Sequence, residues 1–297
     1  MFATSVSSSV GLHVLESACA ASLARAHFPS LKWLASAASL REVRESVNPR
    51  TPMSGSSKLR RMQAKIKEKR EVAKGTLMVT FDLLGEQVDF VAGQYFWVEL
   101  LDPPYDDEKG PRRHISVCTS PNDHGVLGLC TRLRDTAFKR SLAELPVGAD
   151  VDVEQPKGNF LLPTETDKPF VFVAGGIGIT VFRSMLLYIT EEGLPHRVTL
   201  VYSNRDREST AFLDEMQELA ERNPSIRLVL TMTEDEGWEG EKRFIDADML
   251  RDHLDGDLAD YRYLVAGPPP MAEAVVEKLQ GAGIPEDQIE SDRFSGY

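Results

Sequence analysis

The chain has 297 residues, 42% hydrophobic and 27% charged, with 46 Asp and Glu against 34 Lys and Arg, for a net charge of −12. Seven Lys/Arg and three Asp/Glu lie within residues 1–60, so the acidic excess belongs to the remainder, and a body of that sign repels phosphate backbones, which excludes nucleic acid as the main partner. No stretch reaches the roughly 18 to 20 apolar residues of a membrane span, while Cys19, Cys118 and Cys130 have no metal-like spacing and are too few for a plant-type iron–sulfur centre, which needs about four thiolates.

No metal site is therefore expected, and the sparse cysteines fit a reducing, cytoplasmic compartment. Residues 1–58 are expected to be a disordered extension. Their first forty residues are rich in Ser and Ala, with Glu16 as the one acid. Three origins stay open: an over-long gene start with Met53 as the initiator, an organelle transit segment over 1–52, or a functional extension. None of them carries the chemistry.

Residues 59–164 alternate in short segments broken by turns, the pattern of antiparallel strands. "QAKIKEKREV", "TLMVTFDLL", "GQYFWVELL", "RRHISVCTS", "GVLGLCTRL" and "ADVDVEQP" make six such segments. Closure into a small β-barrel is the expected way to remove their edges. One helix interrupts them, "TAFKRSLAEL", with Thr136 placed to cap it.

Over 165–297 the period changes. "PFVFVAG", "RVTLVYSN", "SIRLVLTMT" and "YRYLVAG" are nearly continuous apolar runs, as strands buried on both faces should be. Helical patterns at about 180–192, 208–222, 246–254 and 270–282 alternate with them. The fold class expected is thus an antiparallel barrel of Greek-key type followed by a doubly wound α/β parallel sheet, with ligands at the carboxyl ends of its strands. At one such end stands "GGIGIT", residues 175–180. It fails the dinucleotide fingerprint G-x-G-x-x-G, because Val181 takes the third glycine place after Gly176 and Gly178. A phosphate cradle and a tight packing turn both remain open on the loop alone.

On the barrel, Arg113 and Ser116 of "GPRRHISVCTSP" stand three apart on extended chain, a guanidinium able to grip a pyrophosphate near a hydroxyl able to bond a ring nitrogen. The helix start at Thr136, Ala137 and Phe138 offers a second anion cradle. Taken in order with "GGIGIT", "AGPPPM" at 266–271 and the ending "DRFSGY", these motifs resemble the ferredoxin-NADP reductase-like flavoproteins over about residues 60–297.

That resemblance implies FAD on the barrel, with Arg113 at its phosphates, His114 and Ile115 beside it, and Ser116 approaching flavin N5. The N–H groups of Thr136, Ala137 and Phe138 would hold the FAD pyrophosphate. Gly175, Gly176, Gly178 and Thr180 would meet NAD(P)H, with Ser203 and Arg205 near its adenosine ribose and Gly267, Pro268 and Met271 completing the site. Phe294 or Tyr297 would cover the isoalloxazine face. Departures from the family pattern are Ile115 for the usual aromatic, Val181 for a proline, Ala266 for a cysteine and Asp292 for a glutamate.

The function implied is hydride transfer from NAD(P)H to FAD, with NADPH favoured over NADH because Ser203 and Arg205 suit a 2′-phosphate although Asp206 and Glu208 oppose it. Electrons would pass to a separate acceptor, a ferredoxin-like protein or a small oxidant. A flavin-binding sensor or subunit with little turnover is the second reading, kept open by Ile115 and Ala266. The basic residues Arg60, Arg61, Lys65, Lys67, Lys69 and Arg70, with Arg132, Arg134, Lys139 and Arg140, are either a solvated surface or a dock for an acidic acceptor.

Overall fold

The computed structural model describes residues 60–293. The extension over 1–58, Phe294 and Tyr297 lie outside the described residues. Six strands, β1 (Arg61–Ala73), β2 (Thr76–Asp82), β3 (Tyr95–Leu100), β4 (Arg112–Ser116), β5 (Val126–Arg132) and β6 (Asp150–Glu154), form an antiparallel sheet in the order β4-β3-β6-β1-β2-β5. Alternation fills its interior: Met62, Ala64 and Ile66 of β1 and Phe96, Val98 and Leu100 of β3 are buried in one cluster, while their neighbours in sequence face outward. Cys118, two residues past β4, donates its N–H to Gly128 O of β5 at 2.9 Å, so the end strands of the sheet meet there. Helix α1 (Ala137–Glu144) sits between β5 and β6 and drives Phe138 and Leu142 into the same cluster. Thr136 caps it as expected, its Oγ1 accepting from Lys139 N at 3.4 Å.

The second sheet is wholly parallel: β7 (Phe170–Gly175), β8 (Val198–Asn204), β9 (Ile226–Met232), β10 (Arg262–Gly267) and β11 (Ile289–Arg293), in the order β11-β10-β7-β8-β9. Helices α2 (Ile179–Glu191), α3 (Leu213–Arg222), α4 (Ala247–His253) and α5 (Pro269–Gly281) alternate with these strands. Along β7 the side chains sort by parity, Phe170, Phe172 and Ala174 into one core and Val171 and Val173 into the other, which is why the strand reads as an unbroken apolar run. The first of these cores also takes Met78, Ala92, Cys118, Cys130 and Leu162 from the antiparallel half, so the two sheets share it.

Two elements differ from the sequence expectation. β11 was not foreseen, because "IESDR" on a sheet edge has no apolar run to announce it. The helix expected from 208 begins at Leu213: Asp206 caps a tight turn through Ser209 N and Thr210 Oγ1, and Phe212 then takes a left-handed φ of 57°. The strand order reverses at β7, between β8 and β10, and the carboxyl ends of β7 and β10 therefore frame the crevice where such sheets bind ligands. Among the described residues no helix is long and apolar enough to cross a membrane.

Candidate active site

A cleft of about 1200 Å³ is walled by β4, the start of α1, and the carboxyl ends of β7, β8 and β10. Of the residues expected at a site, Arg113, His114, Ile115, Ser116, Thr136, Phe138, Gly175, Gly176, Thr180, Ser203, Arg205, Pro268 and Met271 line it. Ala137, Gly178 and Gly267 do not form its walls.

Charge is concentrated at the α1 end. Arg113 is buried, stacks its guanidinium 5.2 Å from the Phe138 ring, and spends Nη1 on the carbonyls of Lys109, Gly110 and Arg112 at 3.0, 2.8 and 2.7 Å. Its acidic neighbour is Asp107, at a loose 3.7 Å. Lys139, buried one turn into α1, and Arg134 line the same part of the cleft. Burial, Arg134 and Arg113 together push the Lys139 ammonium down to about 8. Cations crowded at a helix N-terminus are short of negative charge, and a phosphate group would supply it. The donor set thus fits the pyrophosphate of a dinucleotide.

The β3–β4 ladder sets the neighbouring wall. Register places Tyr95 opposite Ser116 and Trp97 opposite His114, and the His114 ring lies between those aromatics, 5.2 and 4.9 Å from their centroids. Burial and Lys157 lower the His114 pKa, which favours a neutral imidazole. Ile115 packs against the barrel core while its edge reaches the cleft. Tyr95 lines the cleft and was not singled out in the sequence. Its cross-strand partner was the available signal, since directly opposed residues share a face.

The glycine loop separates into two roles. Gly176 has a φ of +51° and only the Arg132 guanidinium close by, 3.3 Å from where a Cβ would stand and bonded through Nη2 to Ser209 O. Gly178 is a packing glycine: a Cβ there would lie 2.2 Å from Ala266 O. Gly267 likewise lets β10 approach Gly175, whose Cα would stand 3.2 Å from an added Cβ. A 3-10 turn over Gly176–Gly178 leads into α2 and takes the Ile179 N–H onto Gly176 O and Ile177 O; with no side-chain cap on that turn, the N–H groups at its start are the ones left for an anion. Thr180, 2% exposed, donates its hydroxyl to Ile177 O at 3.0 Å and stiffens that turn. On the β10 side, Pro268, Pro269 and Pro270 lack N–H groups, and with Met271 they make an apolar wall rather than a second anion cradle.

At the far end, Arg205 is exposed and stands 3.8 Å from Glu234. Asp206 is turned onto Ser209 N at 2.8 Å and Glu208 pairs with Lys74 at 2.8 Å, so the two acids that would oppose a 2′-phosphate are engaged elsewhere. Phe244, 73% exposed, adds an aromatic surface to this end that the sequence reading missed. Asp292 of β11 also reaches the cleft, its carboxyl pushed up by burial. Of the basic residues, Arg132, Arg134 and Lys139 line the cleft, whereas Arg61 and Lys65 pair with Asp152 and Asp150, and Lys69 bonds the carbonyls that end α1.

An antiparallel sheet whose cleft face gathers Arg113, Arg134 and Lys139 is joined to a doubly wound parallel sheet with a glycine loop at its switch point, the place where such sheets bind nucleotides. The model for the oxidoreductase NAD-binding domain matches residues 172–277. The chain is 30% identical over 218 residues to the phenol 2-monooxygenase reductase component DmpP of Pseudomonas sp., covering 71% of this chain and 59% of that protein. It is 29% identical over 216 residues to the propane 2-monooxygenase reductase component of Gordonia sp., covering 71% and 60%. Among solved structures, the ferredoxin reductase in carbazole 1,9a-dioxygenase superposes with a TM-score of 0.67 at 25% identity, covering 81% of this chain and 71% of that one. A ferredoxin NADP+ reductase from Neisseria gonorrhoeae with bound FAD and NADP has the same fold, with a TM-score of 0.67 at 21% identity over 78% and 98% of the two chains. The chain thus carries an oxidoreductase NAD-binding domain over residues 172–277 and resembles the ferredoxin-NADP reductase-like flavoproteins in sequence and fold. It spans about three fifths of the length of those two monooxygenase reductase components.

Proposed function

We propose that the protein is an NAD(P)H-dependent FAD reductase that hands electrons to a separate acceptor protein of the oxygenase or ferredoxin kind. The observation that carries this reading is the convergence of two anion sites on one cleft, the Arg113–Lys139 cations at α1 and the bare turn at Gly176 before α2. FAD would supply the acceptor for hydride leaving the nicotinamide. Arg113, Lys139 and the Phe138 N–H hold its pyrophosphate, Ser116 bonds the flavin edge, and Tyr95 offers the aromatic surface that Ile115 lacks. The turn at Gly176 takes the coenzyme pyrophosphate, the proline wall at 268–270 excludes water from the nicotinamide, and Phe244 lies under the adenine end. Phe294 or Tyr297 is assigned to the flavin face on the family pattern alone. A reducing, cytoplasmic setting agrees with Cys118 and Cys130 being free thiols.

The purified protein is expected to be yellow with one FAD per chain and to reduce a dye with NAD(P)H at many turnovers per second. A preparation that cannot take up FAD overturns the reading, and one that binds FAD but does not turn over is the sensor alternative. Arg205→Ala is expected to raise the KM for NADPH about tenfold, equivalent to ~1.4 kcal/mol, and to leave NADH almost unchanged. Equal weakening of both coenzymes would show that Arg205 does not read the 2′ position.

Lys139 gives the site a pH signature. Its folded-state pKa of about 8 lies below the unfolded value, so between that pH and about 10.4 the unfolded chain binds more protons, and stability of the flavin-free protein from this group rises with pH. A bound pyrophosphate restores the charge, so FAD affinity is expected to fall by up to about tenfold per pH unit across the same window. Urea unfolding and FAD titration at pH 7 to 10 check both trends, and Lys139→Met should abolish them together.

A further inference from the structure

The first two turns of α2 do more than follow the glycine loop. Arg183, four positions after the start of that helix, is buried, and each of its guanidinium nitrogens has a partner. Nε and Nη2 make a bidentate pair with Glu215 of α3 at 2.9 and 2.6 Å, Nη1 donates to the carbonyl of Cys118, and the plane lies 4.7 Å from the Phe212 ring. Next to it, Ser184 Oγ donates to Thr119 O at 2.7 Å, with both residues buried. At the far end of the helix, Glu191 accepts from Ser120 Oγ and from Asn122 Nδ2. One helix therefore holds the main chain at Cys118 and Thr119 and the side chains of Ser120 and Asn122, and that segment continues directly from Ser116.

Two features argue that this grip sets geometry rather than bulk stability. An Arg–Glu pair with the arginine buried and the carboxylate partly exposed adds little net stability, but its bidentate geometry fixes one arrangement. Phe212, a bulky residue, is held at a φ of 57° where its ring meets Arg183; a left-handed backbone of that kind costs roughly 1–2 kcal/mol and persists where surrounding contacts over-determine it.

We propose that Arg183 is a positioning residue for hydride transfer: by tying the helix that starts at the coenzyme loop to the segment that continues the flavin strand, it sets the distance between donor and acceptor across the cleft. This rests on the reductase reading above. Arg183 lies four positions after Ile179 at the loop, and Cys118 two positions after Ser116, so a shift at the latch reaches both partners with little to absorb it. Misplacement by about 1 Å costs on the order of a hundredfold in rate where reacting groups must align.

Arg183→Met and Glu215→Gln test it together. In the flavin-free proteins, hydrogen exchange over 118–122 is expected to quicken with the rest of the barrel unchanged. In the FAD-loaded proteins, stopped-flow reduction is expected to slow ten- to a hundredfold at saturating NAD(P)H, with the coenzyme Kd within about threefold of wild type and the long-wavelength flavin–nicotinamide charge-transfer band weakened. Arg183→Lys should recover the rate only in part, because one ammonium cannot serve both Glu215 oxygens and the Cys118 carbonyl. Unchanged exchange, a reduction rate within twofold of wild type, or loss of FAD or of the fold in both variants overturns the proposal. If wild type itself takes no hydride from either coenzyme, it is the reductase reading that fails.

Discussion

Alanine at position 178 is expected to cost the α/β half about 3 kcal/mol and to abolish coenzyme binding at ordinary concentrations, whereas alanine two residues earlier should be far milder. The new methyl at 178 would stand 2.2 Å from Ala266 O, 2.6 Å from Ala266 C and 2.9 Å from Gly267 Cα. All three are main-chain atoms of β10, so no side chain can rotate away, and relief requires α2 and β10 to part. Overpacking of this kind usually costs about 1–3 kcal/mol, and a contact with rigid backbone belongs at the upper end. At 176 the obstacle is the Arg132 guanidinium at 3.3 Å, which can move, and the remaining cost is the left-handed φ of +51°, roughly 1–2 kcal/mol. Urea unfolding and NAD(P)H titration of the two variants check this. If Gly178→Ala unfolds within 0.5 kcal/mol of wild type, a bound usual for neutral surface changes, the loop does not depend on its close approach to β10.

The same contrast shows what the sequence revealed. Three glycines in a loop read alike as letters, and the structure separates them: Gly176 is the bare, left-handed corner and Gly178 is the packing contact. Periodicity located β7, β8, β9 and β10 because strands buried on both faces are apolar throughout. It missed β11, whose partner lies on one side only and whose residues are half-exposed. Arg113 and Ser116 were legible because they stand on one strand with a fixed spacing. Tyr95, Lys139 and Phe244 were not, since each reaches the cleft through a strand register, a helix docking or a loop path that local pattern does not encode. Arg183 is the extreme case: in sequence it is an Arg in an apolar helix, and its four partners lie on Cys118, Phe212 and Glu215.

Replacing Arg113 with alanine is expected to weaken FAD binding ten- to a hundredfold, the largest functional loss from a single site outside the glycine loop. A charge-assisted hydrogen bond contributes about 1.5–3 kcal/mol, and every 1.4 kcal/mol is about tenfold in Kd. The structure adds a second loss. Arg113 Nη1 bonds the carbonyls of Lys109, Gly110 and Arg112, so the alanine variant also releases the turn that leads into β4 and carries Asp107. Arg113→Lys separates the two effects, because an ammonium keeps the charge for the phosphate but cannot reproduce the planar fork. If charge dominates, the lysine variant recovers most of the affinity; if the turn dominates, it recovers little. Flavin fluorescence titration of the apoproteins gives both numbers. Removing Arg113 also withdraws one cation from beside Lys139, whose pKa should then rise from about 8, so the pH dependence of FAD binding in the alanine variant should shift upward as its affinity falls. A variant that weakens FAD without that shift would mean that Arg113 and Lys139 do not share one anion site, and the phosphates would then have to be assigned to the α1 N-terminus and Arg134 alone.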